Sequence, residues 1–151
     1  MYEQLKLQNQ LCFRLYTASR LVTGIYYPYL APLGLTYAQY LVMMVLWEED
    51  GQTSGSIASK LLLDFNTITP LLQRMENQGL ISRKKGKSDS RQRIVFLTEK
   101  GKNLQEQAKN VPDCLVKELS SQMGDISCLF TMIPQLDRFI EALRNKDLPD
   151  D

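Results

Sequence analysis

The stretch from Leu61 to Leu97, LLLDFNTITPLLQRMENQGLISRKKGKSDSRQRIVFL, restricts the fold more than any other part of the chain. It joins an amphipathic helix to two short strands separated by a basic polar loop. Ile68, Leu71, Leu72, Met75 and Gly79 recur at i, i+3, i+4 and i+7 spacing and form one buried face. Asn66, Thr67, Thr69, Gln73 and Arg74 lie off that face. Pro70 is tolerated if it sits in the first turn, where a missing amide costs nothing, so Asn66 or Thr67 is expected to cap the helix. Gly79 is the expected stop. Leu80-Ile81 and Ile94-Val95-Phe96-Leu97 are then the strands, with Lys84 to Gln92 as the hairpin tip.

Charge is concentrated in the same region. Ser82 to Lys102 holds eight basic residues and two acids, a local balance of +6 in a chain whose net charge is +1. The remainder is therefore about −5. Most charge runs are only solvated loops. Here the run follows a helix with a polar face, which suits a duplex: the helix enters the major groove and the basic hairpin follows the phosphates.

The order helix, helix, LDxxTxTPLLxRMExxGLIxRKK, DxR, LTxxG resembles the multiple-antibiotic-resistance-regulator (MarR) family of winged helix-turn-helix proteins. The match spans nearly the whole chain. It implies a mostly α fold with a small β-hairpin wing and a helical dimerisation region. Residues 1–151 then form a single domain, with dimerisation helices at about 3–29 and 99–146 and the winged helix at about 36–98. By this resemblance Asp89-Ser90-Arg91 is the wing D-x-R, whose arginine enters the minor groove, and Lys84, Lys85 and Lys87 lie near phosphate. Phe65 and Asn66 stand where close relatives usually have small residues, which implies a base preference of this chain's own.

The length allows one domain with a modest core, or one subunit of an oligomer. The longest apolar run, Tyr40 to Trp47, is too short to cross a bilayer, and no leader pattern opens the chain, so a cytoplasmic protein is expected. Histidine is absent, which removes His-based triads and the usual zinc sites. No metal or cofactor is expected. The three cysteines, Cys12, Cys114 and Cys128, form no CxxC pair and are reduced by default in such a compartment.

Residues 3 to about 29 carry Leu7, Leu11, Leu15, Ala18, Val22 and Ile25 at helical spacing, which predicts a long first helix. Cys12 lies within it. A lone helical cysteine is usually a small buried hydrophobe, but Tyr16 follows one turn later, and Tyr26, Tyr27 and Tyr37 come after. NQLCF, these tyrosines and PLGLTYAQYLVMMVLWE together resemble the organic-hydroperoxide-resistance (OhrR) branch. That resemblance implies that Cys12 is the peroxidatic cysteine, that Tyr26 and Tyr37 donate to its thiolate, and that Tyr16 lines the site.

Geometry adds a constraint. Fourteen residues of straight helix place Cys12 and Tyr26 roughly 21 Å apart. If they meet, Tyr26 comes from a second subunit, and an antiparallel arrangement about a two-fold near residue 19 permits it. Thr17, Ala18 and Ser19 there are small enough for close approach.

Thr36-x-x-Gln39 is a capping-box signature opening a central buried helix that runs to about Glu49. Asp50 to Gln52 is a turn, and Thr53 or Ser54 caps a third helix carrying Ile57, Ala58, Leu61 and Leu62. Past the wing, a fifth helix from Thr98 has Leu97, Leu104 and Val111, with Gly101, Ala108 and Leu115 between them, at about 3.5-residue spacing, a seam that should face another helix, with a kink at Pro112. The last helix carries Ile126, Leu129, Ile133, Leu136, Ile140 and Leu143, with a kink expected at Pro134. Asn145 to Asp151 is an acidic tail.

An ordinary cysteine is only about 3% thiolate at pH 7, so a cysteine sensor needs donors aimed at the sulfur. Oxidation by hydroperoxide gives a sulfenic acid, which condenses with a thiol. Cys114 and Cys128 are candidate resolving thiols. In two-cysteine members of the branch the resolving cysteine lies just beyond the V-P of the fifth helix; that position is Lys117 here, with Cys114 about one turn early. A small-molecule thiol is the third candidate. The resulting expectation is a homodimeric repressor, not an enzyme. It binds a pseudo-palindromic double-stranded operator and releases it when an organic hydroperoxide oxidises Cys12. The competing functions are a regulator responding to a small-molecule ligand and a thiol peroxidase using Cys12.

Overall fold

The computed structural model describes residues 2–86 and 92–144. Lys87, Asp89, Arg91 and the acidic tail lie outside the described residues. The chain divides into two compact units, Met1–Pro112 and Asp113–Asp151. In order, the elements are α1 (Leu11–Ile25), α2 (Tyr27–Leu30), α3 (Tyr37–Glu48), β1 (Gln52–Thr53), α4 (Ser54–Leu61), α5 (Phe65–Asn77), β2 (Ile81–Lys85), β3 (Arg93–Leu97), α6 (Glu99–Ala108), α7 (Val111–Met123) and α8 (Ser127–Arg144). The fold is mostly α with a small antiparallel sheet.

The first helix is shorter than its apolar spacing predicts. Residues before Leu11 form two 3₁₀ turns, Glu3–Leu5 and Leu7–Asn9, divided by extended backbone at Lys6 and Gln10. The cause is local competition. The Asn9 side-chain amide donates to the Glu3 carbonyl at 2.7 Å and that of Gln10 to the Gln4 carbonyl at 2.6 Å, which satisfies these carbonyls without a helix ladder.

α3 is the centre of the first unit. Its capping box is complete: Thr36 accepts from the Gln39 amide while the Gln39 side chain accepts from the Thr36 amide. Val42, Met43 and Leu46 are fully buried against Ile57 of α4 and Ile68, Leu72 and Met75 of α5 in one core. Each such side chain contributes roughly 1.5–3 kcal/mol. Thr53 caps α4 by accepting from the Ser56 amide, as expected. Leu62 lies beyond the end of α4 in the left-handed region and is exposed, so it is not part of the buried face predicted for that helix.

The start of α5 also differs from expectation. Its cap is Asp64, whose Oδ1 accepts from the Thr67 amide at 2.7 Å, so Asn66 and Thr67 lie inside the helix. A carboxylate both satisfies the free amide and faces the positive end of the helix, which favours Asp64. Pro70 is consequently past the first turn, and the Asn66 carbonyl loses its helical donor. Both residues are exposed, so water reaches that carbonyl. Gly79 is not on the buried face. It is exposed at φ +70°, the left-handed stop after the helix, and the Leu80 amide then reaches back to the Met75 carbonyl.

The sheet order is β1-β3-β2. β2 pairs with β3 from Ile81↔Leu97 to Lys85↔Arg93, so Lys84 and Lys85 belong to a strand rather than to the hairpin tip. β1, which local patterning does not reveal, pairs Gln52↔Val95 and Thr53↔Ile94.

The α6 seam is used within the chain. Leu97, Leu104, Ala108 and Val111 belong to the core of the first unit, Trp47 Nε1 donates to the Gly101 carbonyl at 3.0 Å, and a side-chain carbon on Gly101 would lie 2.2 Å from the Leu80 carbonyl oxygen. The helix does not continue to Pro112. It ends at Ala108, and α7 resumes at Val111. In the second unit, α8 runs through Pro134 and exposes Phe130, Ile133, Leu136, Phe139, Ile140 and Leu143.

Candidate nucleic-acid interface and sensing site

α5 divides cleanly by face. Ile68, Leu71, Leu72 and Met75 are buried, while Asn66, Thr67, Thr69, Gln73 and Arg74 are all exposed. Burial of the first set fixes the rotation of the helix and thereby presents the second. β2 continues this surface with exposed Lys84 and Lys85. The Lys84 ammonium sits 5.4 Å from the centre of the Phe96 ring.

Arg83, counted with the basic run, is not a mobile cation. Its Nε and NH2 donate to Glu76 Oε2 at 3.0 and 2.8 Å, its backbone amide donates to Glu76 Oε1 at 2.9 Å, and its NH2 also reaches Gln73 Oε1. Because β2 is an edge strand, that amide would otherwise be free; Glu76 closes it and joins the wing to α5. The hydrogen bond from Arg83, aided by its charge, holds the Glu76 carboxyl below its ordinary range. This clamp was not legible in sequence, because Gly79 turns the chain between its two partners.

A groove of about 460 Å³ runs between the start of α4, the start of α5 and the wing strands. Thr53, Ser54, Thr69, Arg83 and Arg93 give it hydroxyl and guanidinium groups, and Phe65 gives it an aromatic wall.

Two of the tyrosines expected around the sensor, Tyr26 and Tyr37, meet at the start of α3, and Tyr16 is not with them. Tyr26 and Tyr37 lie with ring centres 4.8 Å apart; Tyr40, absent from the sensor residues that the sequence predicts, is 6.0 Å from Tyr26 and 6.3 Å from Trp47. The signal for Tyr40 was its i+3 spacing from Tyr37. Burial, then the neighbouring tyrosines, push the Tyr26 hydroxyl above its usual range; burial alone acts on Tyr37, and burial with Tyr37 acts on Tyr40. All three hydroxyls therefore stay protonated and able to donate near neutral pH. A cleft of about 310 Å³ opens beside them, lined by Arg20, Thr23, Tyr26, Leu30, Leu35 and Tyr37 among others.

Cys12 does not meet this cluster within one chain. It is exposed in the first turn of α1, with Tyr16 exposed one turn later, while Tyr26 follows the last turn of the same helix. Thr17, Ala18 and Ser19 fall at its middle. Leu11, Phe13, Leu21 and Val22 of α1 are also exposed. Of the other thiols, Cys114 on α7 is half-buried and Cys128 on α8 is exposed. Among the described residues, no group of three His, Cys, Asp or Glu side chains is placed to hold a metal, and no single helix is long and apolar enough to cross a membrane.

Comparison with known proteins agrees with this architecture. The family described as transcriptional regulator SarA/Rot matches residues 25–108. The organic hydroperoxide resistance transcriptional regulator of Bacillus subtilis (strain 168) is 42% identical over 140 residues, covering 89% of this chain and 95% of that protein. Among solved structures, reduced AbfR bound to DNA superposes with a TM-score of 0.75 at 37% identity, over 95% of this chain and 98% of that one. AbfR, a protein of Staphylococcus epidermidis, also aligns in its disulfide-formed state, with a TM-score of 0.62 at 37% identity over 95% and 96% of the two chains. A winged helix with an aromatic cluster at the start of its central helix, and relatives of this similarity over nearly the full length, establish that the chain belongs to the MarR family of winged helix-turn-helix transcriptional regulators, in the organic-hydroperoxide-resistance branch.

Proposed function

We propose that the protein is a cytoplasmic, homodimeric repressor that binds a pseudo-palindromic operator and releases it when an organic hydroperoxide oxidises Cys12. The observation that carries this reading is the separation along α1. Cys12 is exposed at one end, and the half-buried Tyr26–Tyr37 pair with its cleft stands at the other. Two copies of α1 crossing antiparallel near Ser19 bring the Cys12 of one subunit to the cleft of the other. The exposed apolar residues of α1 and α8 supply surface for such an association.

In this arrangement Tyr26 and Tyr37, protonated at neutral pH, donate to the thiolate, and Tyr16 closes the site. The thiolate attacks the outer oxygen of the hydroperoxide; the O–O bond breaks, the alkoxide leaves and takes a proton from water to become the alcohol, and sulfur ends as a sulfenic acid. Condensation with a second thiol forms an S–S bond and releases water. Cys114, Cys128 and a small-molecule thiol are the candidate partners. The enlarged sulfur no longer fits among the tyrosines, so α1 shifts and the two reading heads separate. Oxidation is a stoichiometric switch rather than turnover.

On DNA, Asn66, Thr67, Thr69, Gln73 and Arg74 of α5 face the major groove. Lys84, Lys85 and Lys87 contact phosphate, and Arg91 of the Asp89-Ser90-Arg91 motif reads the minor groove. A dimer places two such heads about 34 Å apart on successive turns.

Mixed dimers test the shared sensor. One subunit carries Cys12→Ser and the other Tyr26→Phe. If the site is built across subunits, each heterodimer keeps one intact Cys12–Tyr26 pair, and its single Cys12 reacts with cumene hydroperoxide at the wild-type rate. If the site lies within one subunit, no intact pair exists and the wild-type phase disappears.

A further inference from the structure

Phe65 is the first residue of α5 and is 61% exposed, so it contributes little to the core. Its ring is nevertheless held. A side-chain carbon built on Gly55 would stand 3.7 Å from the Phe65 Cε2, so one edge of the ring rests along the first turn of α4. The rest of the ring walls the groove that Thr53, Ser54, Thr69, Arg83 and Arg93 also line. Hydroxyls and guanidinium groups suit phosphate oxygens. A phenyl ring does not; the contact it offers there is an apolar one.

The first residues of a recognition helix approach base edges in the major groove. The apolar feature that those edges present is the C5-methyl group of thymine. We propose that Phe65 is a specificity-determining residue, which reads a thymine by packing its ring against that methyl while α4 holds the ring in place. This rests on the DNA-binding reading above and adds to it a base and a chemical group. The helix face formed by Asn66, Thr69 and Gln73 makes polar contacts; Phe65 makes the apolar one.

The test uses duplexes that the reduced full-length protein selects from a random library. Each thymine of the selected site is replaced singly by deoxyuridine, which removes only the C5-methyl group. For wild type, one position in each half-site should weaken binding about fourfold, the factor that burying one methyl-sized group supplies. Phe65→Ala should bind that thymine and its deoxyuridine counterpart equally. Phe65→Leu keeps an apolar but shorter side chain and should discriminate less than wild type, which covers the case in which the alanine variant fails to fold. The proposal is overturned if every thymine-to-deoxyuridine change costs wild type and the Phe65 variants the same factor. If the reduced protein enriches no sequence at all, the DNA-binding reading itself fails, and this proposal with it.

Discussion

Replacing Glu76 with Ala removes the only carboxylate that joins α5 to the wing among the described residues. It deletes three hydrogen bonds: the Arg83 backbone amide at 2.9 Å, Nε at 3.0 Å and NH2 at 2.8 Å. Hydrogen bonds to charged groups contribute about 1.5–3 kcal/mol when shielded, whereas exposed ion pairs contribute about 0.2–1 kcal/mol. Here the Arg83 side chain is 16% and that of Glu76 32% exposed, between those limits. Gln73 also keeps one hold on the guanidinium. The expected loss is therefore about 2 kcal/mol, read from urea unfolding at pH 7. The pH dependence follows from the depressed Glu76 carboxyl. The charged form is favoured in the folded state, so the contribution is complete above the ordinary glutamate range near ~4.3 and falls away as pH drops through the lower folded value. The two proteins should converge in stability as the medium is acidified below that range. Equal unfolding midpoints at pH 7, or a difference that persists undiminished at pH 2, would show that Glu76 does not hold the wing to α5.

Other consequences concern the wing, the core and the sensor. Lys85→Ala should lower affinity for every duplex and reduce the salt slope by about one, whereas Arg91→Ala should cost about 1–3 kcal/mol on the selected site only; fluorescence anisotropy across a salt series separates the two. Gly101→Ala should destabilise by about 2–3 kcal/mol in thermal or urea unfolding, because the new carbon meets the Leu80 carbonyl, a backbone atom with no rotamer to move into. Tyr37→Phe should bind DNA normally and slow the reaction of Cys12 with hydroperoxide in stopped-flow measurements, since one donor to the thiolate is lost.

Elements whose determinants lie close together in sequence were legible. Thr36 and Gln39 form their capping box within one turn, and the α5 faces follow from its own spacing. The wing follows from two apolar runs around a basic loop. What escaped depends on partners far along the chain or on side chains overriding propensity. β1 has two residues and exists because Val95 and Ile94 pair with it. The 3₁₀ turns before α1 arise where Asn9 and Gln10 capture backbone carbonyls. The α6 spacing was correct as a seam, but its partner is this chain's own core, reached through the glycine at 101. For the site, Cys12 and the tyrosines were visible as residues. The length of α1 explains why one chain does not unite them.

On the proposed function, Cys12 couples hydroperoxide to DNA release. Wild type and Cys12→Ser should be bound side by side to one labelled duplex, treated with an organic hydroperoxide and followed by gel mobility. Both reduced proteins should bind alike; the peroxide should free the duplex from wild type and leave the serine protein bound. Release from Cys12→Ser at the same peroxide concentration would locate the sensor elsewhere.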